Sequence, residues 1–188
     1  MPPSETAIQE QWEKLRSHGS PAALKWLFDR LYDDLFAYAV RKTGSRDVSK
    51  DVLQNTFADL WYYRNRLSKT TSVKAYLFRA VSNHCAKFGK LNGNSVPLEE
   101  IAQQLIFQPE ELKVYSGSGM KNQRIKKILE SCTPRQKEIL YLRYYDNLDY
   151  REIADVMGIA YQTVINHAHE AIVKLRQVRK LKELLTEN

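Results

Sequence analysis

The side chains of this chain that could do chemistry are cations, aromatic rings and carboxamides, and the chemistry they suit is nucleic-acid binding. From Trp61 to Leu98 there is no acidic residue, yet Arg64, Arg66, Lys69, Lys74, Arg79, Lys87 and Lys90 all occur. Trp61, Tyr62, Tyr63, Tyr76, Phe78 and Phe88 are interleaved with them. Cations track phosphates, and exposed rings take over base stacking at about 1–3 kcal/mol each. Trp61 continues an apolar seam and is expected in the core, whereas Tyr62, Tyr63 and Tyr76 are the rings expected near the surface. The loop Leu67-Ser68-Lys69-Thr70-Thr71-Ser72 is small, polar and cationic. Such a loop suits an extruded base, whose edge its hydroxyls and amides could read.

A second constellation runs from Thr133 to Leu175. Thr133 suits an N-cap, Pro134 the first helical position, and Gln136 can close a capping box. Asp149-Tyr150-Arg151-Glu152 repeats that logic, and Gly158 stops the helix after about two turns. In the helix that follows, Ala160, Val164, Ala168, Ala171 and Leu175 share one stripe, while Gln162, Thr163, Asn166 and His167 face elsewhere. A short helix, a glycine turn and a polar-faced second helix make a helix-turn-helix pattern, whose second helix can enter a major groove. An ordinary helical hairpin with a solvated polar face has the same period; the capping signals and glycine spacing favour DNA binding.

Catalysis finds no support. His84-Cys85 lacks the second pair that zinc needs, and Cys132 is isolated in sequence. His167 and His169 point to different sides of a helix. Asp33-Asp34 and Glu110-Glu111 are adjacent and accompany no nucleophile. There is no glycine-rich phosphate loop, so neither an enzyme nor a cofactor or metal is expected.

The elements that must position these groups are helices throughout. Leu24, Leu27, Phe28, Leu31, Leu35 and Tyr38 form a seam over about Pro21 to Lys42, broken by Gly44. Val48, Val52, Leu53, Phe57, Leu60 and Trp61 form a second that ends near Leu67. Val73, Leu77, Ala80, Val81, His84 and Phe88 form a third. Three helices with short breaks suit a compact bundle. Glycines and prolines then punctuate Gly89 to Met120, where Leu98 to Leu105 suits a helical turn or two, and Ser116-Gly117-Ser118-Gly119 is flexible by composition. The expected fold is all-α, with two small helical domains joined by a flexible linker. The boundaries read as an N-terminal extension at 1–20, a first domain at 21–90, a linker at 91–120 and a second domain at 121–188. Ile8 to Leu15 permits one extra helix in the extension.

With 188 residues and 43% hydrophobic content, the chain can fill two small cores. Its net charge of +7 permits polyanion binding. Glu99, Glu100, Glu110 and Glu111 make the linker acidic, and Lys174, Arg176, Arg179, Lys180 and Lys182 crowd the final helix. Two basic patches joined by an acidic linker suggest two contacts on one nucleic acid, although solvated helix faces carry such charge too. Two cysteines in helical patterns suggest a reduced, cytosolic protein. No run reaches the length of a membrane span, and Met1 to Gln11 has no leader pattern, so no membrane insertion is expected.

These residues also carry a family resemblance. Ser49-Lys50-Asp51-Val52-Leu53-Gln54-Asn55-Thr56-Phe57-Ala58-Asp59-Leu60-Trp61 resembles the core-binding helix of bacterial sigma factors, and Tyr76-Leu77-Phe78-Arg79-Ala80-Val81-Ser82-Asn83 resembles their promoter-melting helix. With the helix-turn-helix, which is similar to region 4, the order and spacing resemble an extracytoplasmic-function sigma factor, which lacks the intervening region 3 domain. Leu148-Asp149-Tyr150-Arg151-Glu152-Ile153-Ala154 and Tyr161-Gln162-Thr163-Val164 with Asn166-His167 resemble the variant common in the Bacteroidetes group.

The resemblance implies roles for particular residues. Asp51, Gln54, Asn55 and Thr56 would meet core RNA polymerase, with Phe57 and Leu60 inside. Asn55 departs from the acid the family often has there, which implies a weaker hold on polymerase. Arg66, Lys69, Thr70, Thr71, Lys74 and Tyr76 would meet the non-template strand of the minus-ten element, with Arg79, Asn83 and Lys87 on phosphates near the duplex edge. Arg151, Tyr161, Gln162, Thr163, Asn166, His167, Lys174 and Arg176 would meet the minus-thirty-five element. Gln162 and Asn166 can pair bidentately with adenine, whereas Tyr161 to His169 holds no arginine or lysine for guanine. An A/T-leaning element is expected. The acidic linker would thread the RNA exit path. The implied protein is a monomer when free that binds promoter DNA, core polymerase and an anti-sigma factor. A stand-alone helix-turn-helix regulator and a polymerase adaptor without DNA are the other readings of the same residues; the acid-free aromatic stretch favours the first.

Overall fold

The computed structural model describes residues 5–91 and 132–186, with side chains over 5–89 and 132–174. The expected linker, with its four glutamates, its helical turn and its Ser-Gly run, lies outside the described residues except for Leu91. Every regular element described is helical. Helix α1 is Glu5–His18, α2 Pro21–Thr43, α3 Arg46–Tyr62 and α4 Val73–Leu91, with a 3₁₀ turn at Arg64–Arg66 between the last two. After the linker come α5 Pro134–Tyr144, α6 Tyr150–Met157 and α7 Tyr161–Thr186.

Local signals set most boundaries. Ser20 caps α2 by accepting from the Ala23 amide, Pro21 follows it, and Gly44 ends the helix in the left-handed region at φ 68°. Ser45 starts α3 through the Val48 amide. Both expected capping boxes form: Thr133 with Gln136 on α5, and Asp149 with Glu152 on α6. Gly158 closes α6 at φ 63°, and its N–H donates to Ala154 O. Ala160 is exposed rather than part of the buried stripe. It precedes α7, and its carbonyl accepts from the Thr163 and Val164 amides. A capping position ahead of the first turn need not follow the helical period. Leu175 has no described side chain.

The first bundle buries Leu27, Leu31, Leu35, Val52, Leu53, Leu60, Leu77, Phe78 and Val81. Helix α1 joins it through Ile8, Trp12 and Leu15. Each such aliphatic side chain stabilises the fold by about 1.5–3 kcal/mol. In the second bundle Ile139, Leu142, Ile153, Val156, Val164 and Ala168 are buried together.

The two bundles form as expected and also pack on each other, sharing one apolar cluster. Helix α4 lies against α6. Glu138 Oε1 accepts from Tyr38 Oη at 2.7 Å and from Lys42 Nζ at 2.9 Å. The Arg41 guanidinium sits 4.0 Å from the Tyr141 ring centroid, a cation–π geometry that gains strength where water is excluded. Asp146 is buried beside Lys74, and neither of its carboxylate oxygens has a hydrogen-bond partner among the described residues. Burial pushes this carboxyl up to about 8; Lys74 and Arg41 oppose the shift and Asp34 adds to it.

Candidate nucleic-acid interface

Helix α3 presents Asp51, Gln54 and Asn55 to solvent. Thr56 does not share that surface. It is 2% exposed, and its hydroxyl donates back to Val52 O at 2.8 Å. Phe57 and Leu60 are buried, as the helical period requires.

Beyond α3 the rings divide as expected. Tyr62, Tyr63 and Tyr76 are 75%, 44% and 38% exposed, while Phe78 is fully buried. Trp61 is half-buried, packs on the core and carries the Arg64 guanidinium 4.1 Å from its centroid. Tyr62 and Tyr63 meet edge to face at 4.8 Å, and Arg66, exposed, lies 5.8 Å from the Tyr63 ring. A cleft of about 220 Å³ opens between α3, the loop and α4. Tyr63, Leu67, Tyr76, Asn83, His84 and Lys87 are among the residues lining it.

Helix α4 exposes Tyr76, Arg79, Asn83 and Lys87, spaced three or four apart and so on one face. His84 is half-buried beside them, its Nε2 3.2 Å from Asp59 Oδ2. Burial lowers its pKa against the opposing pull of Asp59, which favours the neutral ring at pH 7.

In the loop, Lys69 and Thr71 are exposed. Thr70 spends its hydroxyl internally, donating to Ser72 O at 3.1 Å and accepting from the Ser72 amide at 3.3 Å. Lys74 departs furthest from expectation. Its Nζ donates to Asp146 O at 2.8 Å and lies 3.4 Å from Asp34 Oδ2. It therefore faces the second bundle instead of sharing a surface with Lys69 and Thr71. Two residues outside the expected set touch the loop: Gln9 Nε2 donates to Thr70 O at 3.1 Å, and Trp12 Nε1 donates to Ser68 O at 3.3 Å. The signal available in sequence was the apolar spacing of Ile8, Trp12 and Leu15.

In the second bundle, α6, Gly158 and α7 form the helix-turn-helix. Tyr161, Gln162 and Asn166 are exposed at the start of α7, and Thr163 and His167 are half-buried. Gln162 Nε2 donates to Asn166 Oδ1 at 3.1 Å. Arg151 is exposed on α6, its guanidinium 6.0 Å from the Tyr161 ring. His167 Nδ1 lies 3.7 Å from Glu170 Oε2. Lys174 is drawn back toward α5, where its Nζ donates to Gln136 Oε1 at 3.0 Å. The Arg176 side chain lies outside those described.

Two helical surfaces result, one cationic and aromatic beside a loop, the other rich in carboxamides at the start of a recognition helix. Among the described residues there is no group of three or more His, Cys, Asp or Glu fit to hold a metal. No described helix is long and apolar enough to cross a membrane.

Comparison with known proteins agrees with this geometry. Residues 27–89 match the family Sigma-70 region 2, and residues 122–175 match Sigma-70, region 4. The chain is 22% identical over 161 residues to RNA polymerase sigma factor YlaC of Bacillus subtilis, covering 80% of this chain and 88% of that protein. It is 26% identical over 172 residues to ECF RNA polymerase sigma factor SigL of Mycobacterium tuberculosis, covering 86% of this chain and 93% of that protein. The fold resembles CnrH in its complex with the cytosolic domain of CnrY, at a TM-score of 0.58 and 19% identity, over 93% of this chain and 98% of that one. It also resembles the sigma factor RpoE in complex with the anti-sigma factor NepR from Bartonella quintana, at 0.56 and 20% identity, over 83% and 96%. Region 2 precedes region 4 here, each in its own helical bundle, and the chain belongs to the sigma-70 family as an extracytoplasmic-function sigma factor acting in transcription initiation.

Proposed function

We propose that the chain is a dissociable promoter-specificity subunit whose exposed residues divide the work among three contacts. Asp51, Gln54 and Asn55 on α3 engage core RNA polymerase. Arg66, Lys69, Thr71 and Tyr76, with Arg79, Asn83 and Lys87, take the non-template strand of the minus-ten element, one base of which leaves the stack for the cleft beside the loop. Gln162 and Asn166 read the minus-thirty-five element, with Tyr161, Thr163, His167 and Arg151 around them and phosphates at the start of α7.

The observation that carries this reading is the meeting of Tyr63, Tyr76, Asn83 and Lys87 around one cleft. Rings and cations together can replace the stacking and phosphate screening that an unpaired strand loses. The chain works in the cytoplasm as a monomer before it meets polymerase. RpoE, which it resembles in fold, is held by an anti-sigma factor in its structure, and a protein inhibitor of that class is the partner proposed here. The likeness of the motifs at Leu148–Ala154 and Tyr161–His167 to the variant common in the Bacteroidetes group supports a Bacteroidetes-like member of the family.

Run-off transcription with purified core polymerase on genomic promoter fragments tests the reading. Product that depends on this chain supports it. Absence of product, combined with tight binding of the free chain to duplex DNA, replaces it with a stand-alone regulator.

A further inference from the structure

We propose that α1 is a brace for the base-reading loop, with Gln9 and Trp12 as positioning residues that set promoter selectivity. The proposal rests on the reading of residues 67–72 as the loop that meets the minus-ten base.

Residues 67–72 belong to no helix or strand, so the backbone must find its partners one by one. Thr70 and Ser72 close on each other through the Thr70 hydroxyl. The carbonyls of Ser68 and Thr70 turn instead toward α1, where Trp12 Nε1 and Gln9 Nε2 meet them. Trp12 is fully buried, and a buried indole N–H left without an acceptor costs free energy. Its bond to Ser68 O is therefore hard to give up. The same indole packs edge-on against Tyr76, centroid to centroid 4.9 Å. One side chain of α1 thus touches both the loop and an exposed ring of α4 that lines the cleft.

The turn after α1 keeps it there. Gly19 takes φ 58°, and its N–H donates to Leu15 O at 2.9 Å. A Cβ at Gly19 would stand 3.2 Å from Arg64 Nε, on the 3₁₀ turn that leads into the loop. The end of α1 thus lies close against the 3₁₀ turn, while Gln9 and Trp12 hold the loop itself.

Anchoring the alternate carbonyls of Ser68 and Thr70 leaves the side chains of Lys69 and Thr71 exposed. A loop that reads a base edge discriminates only if it cannot relax around the wrong base, and pre-organisation supplies that rigidity. Helix α1 reaches the DNA through the loop, touching no base itself.

The test uses the full chain with core polymerase. Trp12→Phe keeps a ring and removes the indole donor; Gln9→Leu keeps bulk and removes the amide donor. Run-off product is compared between a preferred promoter and versions changed one base at a time across the minus-ten element. Losing these two bonds should reduce the ratio of preferred to substituted product by about fivefold or more. Ile8→Val trims the core face of the same helix, so it should lower Tm and leave the ratio in place. An unchanged ratio in the double variant, or an equal fall in Ile8→Val, overturns the proposal. Trp12→Phe alone is read the same way if the double variant does not fold. Amide hydrogen exchange across residues 68–71 gives a readout independent of transcription. Faster exchange in the variants supports the brace and unchanged exchange overturns it, even if the wild-type chain starts no transcripts and the promoter reading itself fails.

Discussion

The ammonium of Lys74 donates to the main-chain oxygen of Asp146 at 2.8 Å, so a lysine expected on promoter DNA is held by the second bundle. Asp34 stands 3.4 Å away on the other side. Two segments distant in sequence, α2 at Asp34 and the turn at Asp146, therefore supply oxygens to a cation that lies in an acid-free stretch of sequence. While the bundles are docked, a phosphate must compete with these oxygens for Lys74.

Separating the bundles should release it. Glu138 is the contact to break, because its Oε1 accepts from both Tyr38 and Lys42 while almost wholly buried. Removing Glu138 leaves the largely buried Lys42 without its carboxylate, a loss of about 3–5 kcal/mol where such a pair is fully buried. Glu138→Ala should increase the radius of gyration in small-angle scattering and tighten binding to minus-ten single strands. An unchanged radius would show that docking does not depend on this carboxylate.

The buried carboxyl of Asp146 makes docking sensitive to pH. Its pKa in the fold is about 8 against an ordinary 3.8, raised by burial and by Asp34, with Lys74 and Arg41 pulling the other way. The folded chain thus holds a proton that the unfolded chain releases between those values. The associated stability is complete below the unfolded pKa and is lost as pH rises through about 8. Thermal midpoints should fall as pH rises from about 4 to about 8 and level off above it, and Asp146→Asn should flatten that fall, by about 2–4 °C for each kcal/mol of stability involved. Parallel pH curves for the two proteins would refute the assignment.

How far the sequence could be read depends on how local each cause is. The capping boxes at Thr133 and Asp149 and the stop at Gly158 involve neighbours a few residues apart, and all three form. Tyr62 and Tyr76 fall off the apolar seams of their helices and are exposed as that period requires, whereas Phe78, off the seam read from sequence, is buried by the packing. The contacts of Lys74 have no local signal, because its partners come from α2 and from the turn after α5; Asp146 is 72 residues away in the chain. Thr56 looked like a surface polar residue, but a threonine can satisfy its hydroxyl on the preceding helical turn and be buried. Helix α1 was visible as an apolar spacing, but its bonds to Ser68 and Thr70 depend on tertiary packing and had no local signal.

The burial of Thr56 separates two kinds of α3 variant. Asp51→Ala should weaken binding to core polymerase, since the carboxylate is exposed and available. Thr56→Val should leave polymerase affinity unchanged, because its hydroxyl donates only to Val52 O. Asn55→Asp restores the acid common in the family and should strengthen the complex, with rim charges acting mainly on the association rate. Titration of labelled core enzyme measures all three. A loss for Thr56→Val equal to that for Asp51→Ala would place the contact surface elsewhere.

At the recognition helix, Gln162 and Asn166 are bonded to each other in the free chain, amide nitrogen to amide oxygen at 3.1 Å. Bidentate pairing with adenine uses one donor and one acceptor from a carboxamide, and Asn166 Oδ1 has a second lone pair for a base amino group beside its bond from Gln162. Guanine offers acceptors at both major-groove positions, so it gives that oxygen no donor. Selection from random duplexes should therefore return an A/T-leaning minus-thirty-five element. Asn166→Ala should remove about 1–3 kcal/mol of discrimination at one position, and Gln162→Arg should shift preference toward guanine. A guanine-dominated element selected by the wild-type chain would defeat the assignment. It would move base reading to residues beyond this carboxamide pair.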